Sequence, residues 1–181
     1  MKVFLNPGHA PNGNPDPGAV NERTGLRESD VAAAVAIATA EYLINAGVNA
    51  TAFQNDDLAT ICQTANASGA DLFISIHCNA ADAESANGTE TYCYPGSTVG
   101  NTLANAVQNQ IVTSLHTTDR GVKLAIPGQN GLYVLNNTDM PAILVELAFI
   151  SNDRDEKLLA NYQDAFARAI ARGVTDYQQT L

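Results

Sequence analysis

The chain of 181 residues contains no Trp, 6% aromatic residues, and 9 Lys and Arg against 19 Asp and Glu. Without tryptophan, no aromatic platform for stacking on sugar rings stands out. The scarcity of basic residues, with a net charge of −10, argues against nucleic acid, because that binding rests on Lys and Arg neutralising phosphates. An acidic surface is also a poor partner for large anionic polymers, so targeting to one calls for a separate module. Apolar runs are short, and none approaches the roughly 20 residues of a membrane span. The first residues lead straight into Val3-Phe4-Leu5, without the apolar region and cleavage site of a secretory signal. The expectation is a chain made in the cytoplasm and released by lysis, or one whose signal has been removed. The 3 cysteines, Cys62, Cys78 and Cys93, are odd in number and form no CxxC pair. Free thiols in a reducing compartment are therefore expected rather than a disulfide framework.

What is present is a 45% hydrophobic composition, which suits one domain with a sizeable core. Strands are expected at residues 2–6, 49–54, 72–77, 89–94, 131–135 and 142–146. Helices are expected at 29–45, 58–68, 103–115, 153–161 and 162–177. No linker or repeat divides them. The alternation predicts a single α/β domain, with a twisted, mostly parallel sheet of about six strands flanked by helices on both faces. Residues 7–27 form a loop rich in Gly, Pro and Asn, longer than most connections and of the kind that carries function.

Three apolar runs close on chemically capable side chains. Val3-Phe4-Leu5 leads into Asn6-Pro7-Gly8-His9, Leu72-Phe73-Ile74-Ser75-Ile76 ends at His77, and Ala142-Ile143-Leu144-Val145 ends at Glu146. Open α/β sheets bind ligands at the carboxyl ends of their strands. His, His and Glu delivered there point to a hydrolytic metal site, with zinc the first metal to consider. Gly8 would let the chain turn so that His9 projects from the loop. His116 lies at the end of a helical pattern, where contact with the helix C-terminus accounts for it. For a third ligand, Glu28 at the start of the first helix, Glu22 and Asp16 all remain open. Glu146 follows an apolar run, where a carboxylate is costly to bury without purpose. It reads as a general base whose pKa burial raises, or as half of an ion pair at the sheet edge. Cys78 would face away from His77 as a buried bystander.

These motifs together resemble the zinc-dependent N-acetylmuramoyl-L-alanine amidases of the amidase-3 group, found in cell-wall hydrolases, autolysins and phage endolysins. Asn6-Pro7-Gly8-His9 is similar to the family's opening Asp-Pro-Gly-His, and Asp16-Pro17-Gly18-Ala19 to its Asp-Pro-Gly-Ala. Gly25-Leu26-Arg27-Glu28 resembles its Gly-Leu-x-Glu, which selects Glu28 as a ligand. Gly69 to Ala80 resembles the central signature, and Gly88-Thr89-Glu90-Thr91-Tyr92 the Gly-x-Glu-x-Tyr strand. Val145-Glu146-Leu147-Ala148-Phe149-Ile150-Ser151-Asn152 resembles the catalytic-Glu signature. The chain departs from the pattern at Asn6 for Asp, Ala148 for Gly, Asn136 for an Arg, and Phe53-Gln54 for Thr-Arg.

The resemblance implies Zn²⁺ held by His9, Glu28 and His77, Glu146 as catalytic base, and Asn79 and Glu90 as substrate contacts. It implies peptidoglycan as partner, with no nucleic acid or membrane, a monomer, and residues 1–181 as a catalytic domain whose C-terminal wall-binding part is absent. Some relatives carry an autoinhibitory helix after the second zinc His; residues 79–87 are too few for one, so an open site is expected. The rival readings are another zinc hydrolase of the wall, such as a carboxypeptidase, and a non-catalytic wall-binding module.

Overall fold

The computed structural model describes residues 1–181. Its centre is one six-stranded sheet: β1 (Lys2–Pro7), β2 (Asn49–Ala52), β3 (Leu72–Asn79), β4 (Thr89–Cys93), β5 (Asp119–Leu124) and β6 (Ala142–Phe149). The spatial order is β2-β1-β3-β6-β4-β5. The pairs β2–β1, β1–β3 and β3–β6 are parallel, β4 runs antiparallel to β6, and β5 runs parallel to β4. The predicted α/β class therefore holds. Because β4 and β5 are reversed, the edge that receives the carboxyl ends of β1, β3 and β6 also receives the amino ends of β4 and β5.

The helices are α1 (Glu28–Asn45), α2 (Leu58–Ala67), α3 (Thr98–Leu115), α4 (Tyr133–Asn137), α5 (Asp153–Asn161) and α6 (Gln163–Gln178). Residues 131–135, expected as a strand, instead lead into the short helix α4. Five residues with two apolar neighbours suit either state. Tertiary packing decides, since Val134 and Leu135 are buried in the same cluster as Ile61 and Cys62 of α2. The sixth strand is β5, which has no apolar alternation and lies at an exposed sheet edge.

The central strands are apolar on both faces because helices cover both. The two layers are unequal. Val3, Leu5, Ile74, Ile76, Val145 and Leu147 join α1, α3 and α6 in a core of 33 buried residues. Phe4, Phe73 and Leu144 point the other way, into a cluster of 11 with α2 and α4. Side chains alternate along a strand. His77 therefore shares the thin face with Phe73, and Glu146 shares it with Leu144. Cys78 sits in the thick core, facing away as expected.

On the thick side, α6 crosses α3 at Gly173, where an added Cβ would come within 2.6 Å of the Val107 Cα. Helix propensity alone would favour Ala over Gly by about 1 kcal/mol. Close backbone contact reverses the sign, because overpacking costs about 1–3 kcal/mol. Gly173→Ala is expected to lower the urea midpoint, and a raised midpoint would contradict the contact.

Candidate metal centre

Three side chains from distant parts of the chain meet at the site edge. His9 follows β1, Glu28 opens α1, and His77 lies near the end of β3. One donor atom of each lies within 4.8 Å of the others. Glu28 Oε1 is 3.0 Å from His9 Nε2 and 2.9 Å from His77 Nδ1. The two imidazoles meet edge to face with centroids 5.1 Å apart.

Glu28 is buried, and the backbone holds it in place. The Cys78 amide donates to its Oε1 at 3.0 Å and the Ala19 amide to its Oε2 at 2.9 Å. As the first residue of α1 it also lies in the positive end of the helix dipole. Burial acts to raise its pKa, but hydrogen bonds from His77 and His9 outweigh burial and hold it well below the usual carboxylate range. For His9, burial lowers the pKa, yet Glu28 and Asp16 together raise it to about 9.

Of the other two ligand candidates, Glu22 is exposed. Asp16 lies behind His9, its Oδ2 2.7 Å from His9 Nδ1. That contact leaves the opposite ring nitrogen facing Glu28, the carboxylate–histidine arrangement that orients metal ligands. Asp16 Oδ1 also accepts from the Gly18 amide at 2.9 Å, closing a local turn.

Two loop glycines make room for the cluster. A Cβ on Gly8 would come within 2.3 Å of His77 Cε1, and one on Gly18 within 2.5 Å of the His9 ring and 2.7 Å of Glu28 Oε2. Gly8 was expected to supply the turn, but the left-handed residue is His9 itself, with φ 65°. Gly8 instead supplies the space in which His77 packs. Gln54, at one of the departures from the family pattern, donates to the carbonyls of Gly8 and Ser29 at 3.0 and 3.1 Å. It ties the loop to the start of α1. Asn6 is buried, accepting from Ser75 Oγ and donating to the Pro7 carbonyl. Asn136 lies exposed on α4.

Glu146 is the register partner of His77 across β3 and β6. Its Oε2 is enclosed and has no hydrogen-bond partner, so the ion-pair alternative does not apply. Burial raises its pKa to about 7, against the attraction of His77 and with the repulsion of Glu28 and Glu90. On its other side stands Glu90, its register partner in β4. Glu90 is also buried. It takes hydrogen bonds from Asn79 Nδ2 at 2.8 Å, Tyr92 OH at 2.9 Å and Arg120 Nε at 2.7 Å. Burial would raise its pKa, but Arg120 and Tyr92 outweigh burial and lower it. Asn79 and Glu90 thus bond each other. Tyr92 stands in the Gly-x-Glu-x-Tyr motif but with no role assigned to it, and Arg120 was not legible, because a solitary Arg in a polar stretch carries no pattern.

Beside the histidines, on the thin face, opens a cleft of about 310 Å³ lined by His9, His77, Asn55, Leu58, Tyr133 and Leu144, among others. Between β3 and β4 no helix covers the site. His116 caps α3, remote in sequence and role from the cluster. No helix is long and apolar enough to cross a membrane.

Two His and one Glu at the carboxyl edge of an α/β sheet, with a further carboxylate beside them, form the donor set of mononuclear zinc hydrolases. The chain belongs to the Amidase_3 family: the family model described as N-acetylmuramoyl-L-alanine amidase matches residues 3–176. It is 40% identical to the uncharacterized protein YqiI of Bacillus subtilis, over 97% of this chain and 84% of that one. It is 37% identical to the N-acetylmuramoyl-L-alanine amidase LytC of the same organism, over 97% of this chain and only 35% of LytC. The crystal structure of an N-acetylmuramoyl-L-alanine amidase from Clostridium difficile superimposes with a TM-score of 0.87 at 32% identity, covering 99% of this chain and 97% of that one.

The ionisable cluster makes the metal-free protein sensitive to pH. His9 is raised from 6.5 to about 9 and Glu146 from 4.5 to about 7. Each folded-state group keeps a proton that the unfolded chain releases earlier. The stabilisation from Glu146 is complete below pH 4.5 and lost through about 7; that from His9 is complete below 6.5 and lost through about 9. In chelator, the melting temperature is expected to fall steadily from pH 4.5 to 9. A flat or rising profile would refute the arrangement.

Proposed function

We propose that the chain is a zinc-dependent N-acetylmuramoyl-L-alanine amidase, cutting the amide between the lactyl group of N-acetylmuramic acid and L-Ala of the peptidoglycan stem. The observation that carries this reading is the convergence of His9, Glu28 and His77 beside the unpartnered, enclosed Glu146 Oε2. The donor set fits zinc. Ligands on one tetrahedral Zn²⁺, at 2.0–2.1 Å from it, stand about 3.3 Å apart. The Glu28–His separations of 2.9 and 3.0 Å would open by a few tenths of an ångström, while the two imidazole nitrogens, within 4.8 Å of each other, would draw together. The two loop glycines leave the cradle that such a site requires.

His9, Glu28 and His77 would hold the ion, with Asp16 orienting His9. When bound, zinc supplies Lewis-acid activation of water and of the amide carbonyl. Glu146 does the proton work. Its Oε2 has no competing donor, so it is free to take a proton from the attacking water. A pKa near neutrality lets it return that proton to the departing L-Ala amine. Asn79 and Glu90 support the site from its far side, through the bond they share and the groups Glu90 gathers.

Residues 1–181 would act as a monomeric catalytic domain. The short connection between β3 and β4 supports a site open without a regulator. With its net charge of −10, the chain would rely on a separate wall-binding module for tight attachment to an anionic wall.

The test is mass spectrometry of purified peptidoglycan digested by zinc-loaded protein. Stem peptides with free N-terminal L-Ala are expected, whereas release of terminal D-Ala would assign a carboxypeptidase instead. Glu146→Gln is expected to lower the rate by about 10²–10⁴ while one equivalent of zinc stays bound. Full activity in that variant would remove Glu146 from the mechanism.

A further inference from the structure

Of the chain's 9 basic residues, four are occupied by single acids at the surface. Arg23 pairs with Asp153, Arg27 with Asp30, Arg168 with Asp164 and Arg172 with Asp176, at 2.6–2.8 Å. Arg120 and Lys123 are different. Both stand on β5 and both turn to one buried carboxylate, Glu90, at 2.7 and 3.7 Å. Asn79 and Tyr92 already donate to its other oxygen. Two cations over one carboxylate leave an excess positive charge on an otherwise acidic molecule. Asp119, at the start of β5, turns its Oδ1 to Gln108 and the Gly121 amide rather than to Arg120 or Lys123.

Glu90 grips Arg120 through Nε, and the guanidinium carbon lies 4.8 Å from the centre of the Phe149 ring. No protein acceptor takes the two terminal nitrogens, and the Arg120 and Lys123 side chains are 35% and 40% exposed. A guanidinium fixed at one edge, with its other donors free, is preorganised for a carboxylate.

Its place in the sheet says which carboxylate. His77, Glu146 and Glu90 are successive register partners across β3, β6 and β4, and Arg120 follows on β5. Neighbouring strands lie about 4.8 Å apart, so β5 stands roughly 10 Å from β6. An extended peptide advances about 3.3–3.6 Å per residue. A peptide whose cleaved amide lies at His77 and Glu146 therefore brings a carboxylate one or two residues on within reach of the Arg120 side chain.

Resting on the amidase reading, we propose that Arg120 and Lys123, anchored by Glu90, form the subsite for the α-carboxylate of the second stem residue, a D-isoglutamyl unit. The peptide then runs over β4 and β5. The glycan lies on the opposite side, over the cleft lined by Asn55, Leu58 and Tyr133. Arg120 and Lys123 are specificity-determining residues, and Glu90 is a positioning residue.

The test compares zinc-loaded protein on N-acetylmuramoyl-L-Ala-D-isoglutamate and on its isoglutamine carboxamide, with whole peptidoglycan digested in parallel. The carboxylate substrate is expected to be favoured about tenfold in kcat/KM, chiefly through KM. That ratio is expected to fall toward one in Arg120→Gln and part of the way in Lys123→Gln. Lys123→Gln leaves the Arg120–Glu90 bond in place, so it tests the charge without unsettling the buried carboxylate. Digestion of peptidoglycan with no carboxylate preference overturns the subsite alone. Failure to digest peptidoglycan overturns the amidase reading and the subsite with it. A preference seen only between tripeptides ending in diaminopimelate and in lysine moves the contact to the third residue and overturns the assignment to the second.

Discussion

The buried carboxylate of Glu28 is the constraint around which the edge of this sheet is organised. A carboxylate out of water is costly unless its charge is met by donors. Here four donors come from three places: His9 after β1, Ala19 in the long loop, and His77 and the Cys78 amide on β3. Satisfying one residue therefore fixes the start of α1, the path of residues 8–19 and the end of β3 against one another. Asp16 extends the same network outward by holding His9 from behind. The glycines at 8 and 18 are consequences of this crowding, because a side chain at either would occupy space that the two rings and the carboxylate already fill.

The unequal layers of the sheet decide where chemistry can reach the cluster. The thick core of α1, α3 and α6 supplies most of the buried apolar surface and so most of the stability, since burial contributes roughly in proportion to area. The thin face, covered by α2 and α4, leaves a cleft beside His9 and His77. Strand alternation assigns His77 and Glu146 to that thin face. It assigns Cys78 and Val145 to the thick one. The same alternation leaves Glu146 enclosed without an ion partner, which raises its proton affinity into the range useful to a base.

The reversal of β4 and β5 adds a second charge pattern to the same edge. Had those strands run parallel to the rest, Glu90 and Arg120 would lie at the far end of the sheet. Running the other way, they extend the row of His77 and Glu146 with an anion and then a cation. The sheet edge thus passes from the cluster of His9, Glu28 and His77 to Glu146 and then to Glu90 with Arg120 and Lys123, within a few strand widths.

The sequence by itself determined the α/β class and most helices and strands, and it singled out His9, Glu28, His77 and Glu146, which the fold brings to one edge. It did so because apolar runs closing on His9, His77 and Glu146 follow from burial of a parallel sheet, and because several motifs in order select Glu28. Tertiary structure decided the rest. It made residues 133–137 a helix, since an apolar pair there finds partners on α2. It made 119–124 a strand, since only pairing with β4 orders so polar a segment. It turned Asp16 from a rival ligand into the support of His9, and brought Arg120 and Lys123 to Glu90. Those outcomes depend on contacts between residues far apart in the chain, whose local sequence carries neither periodicity nor motif.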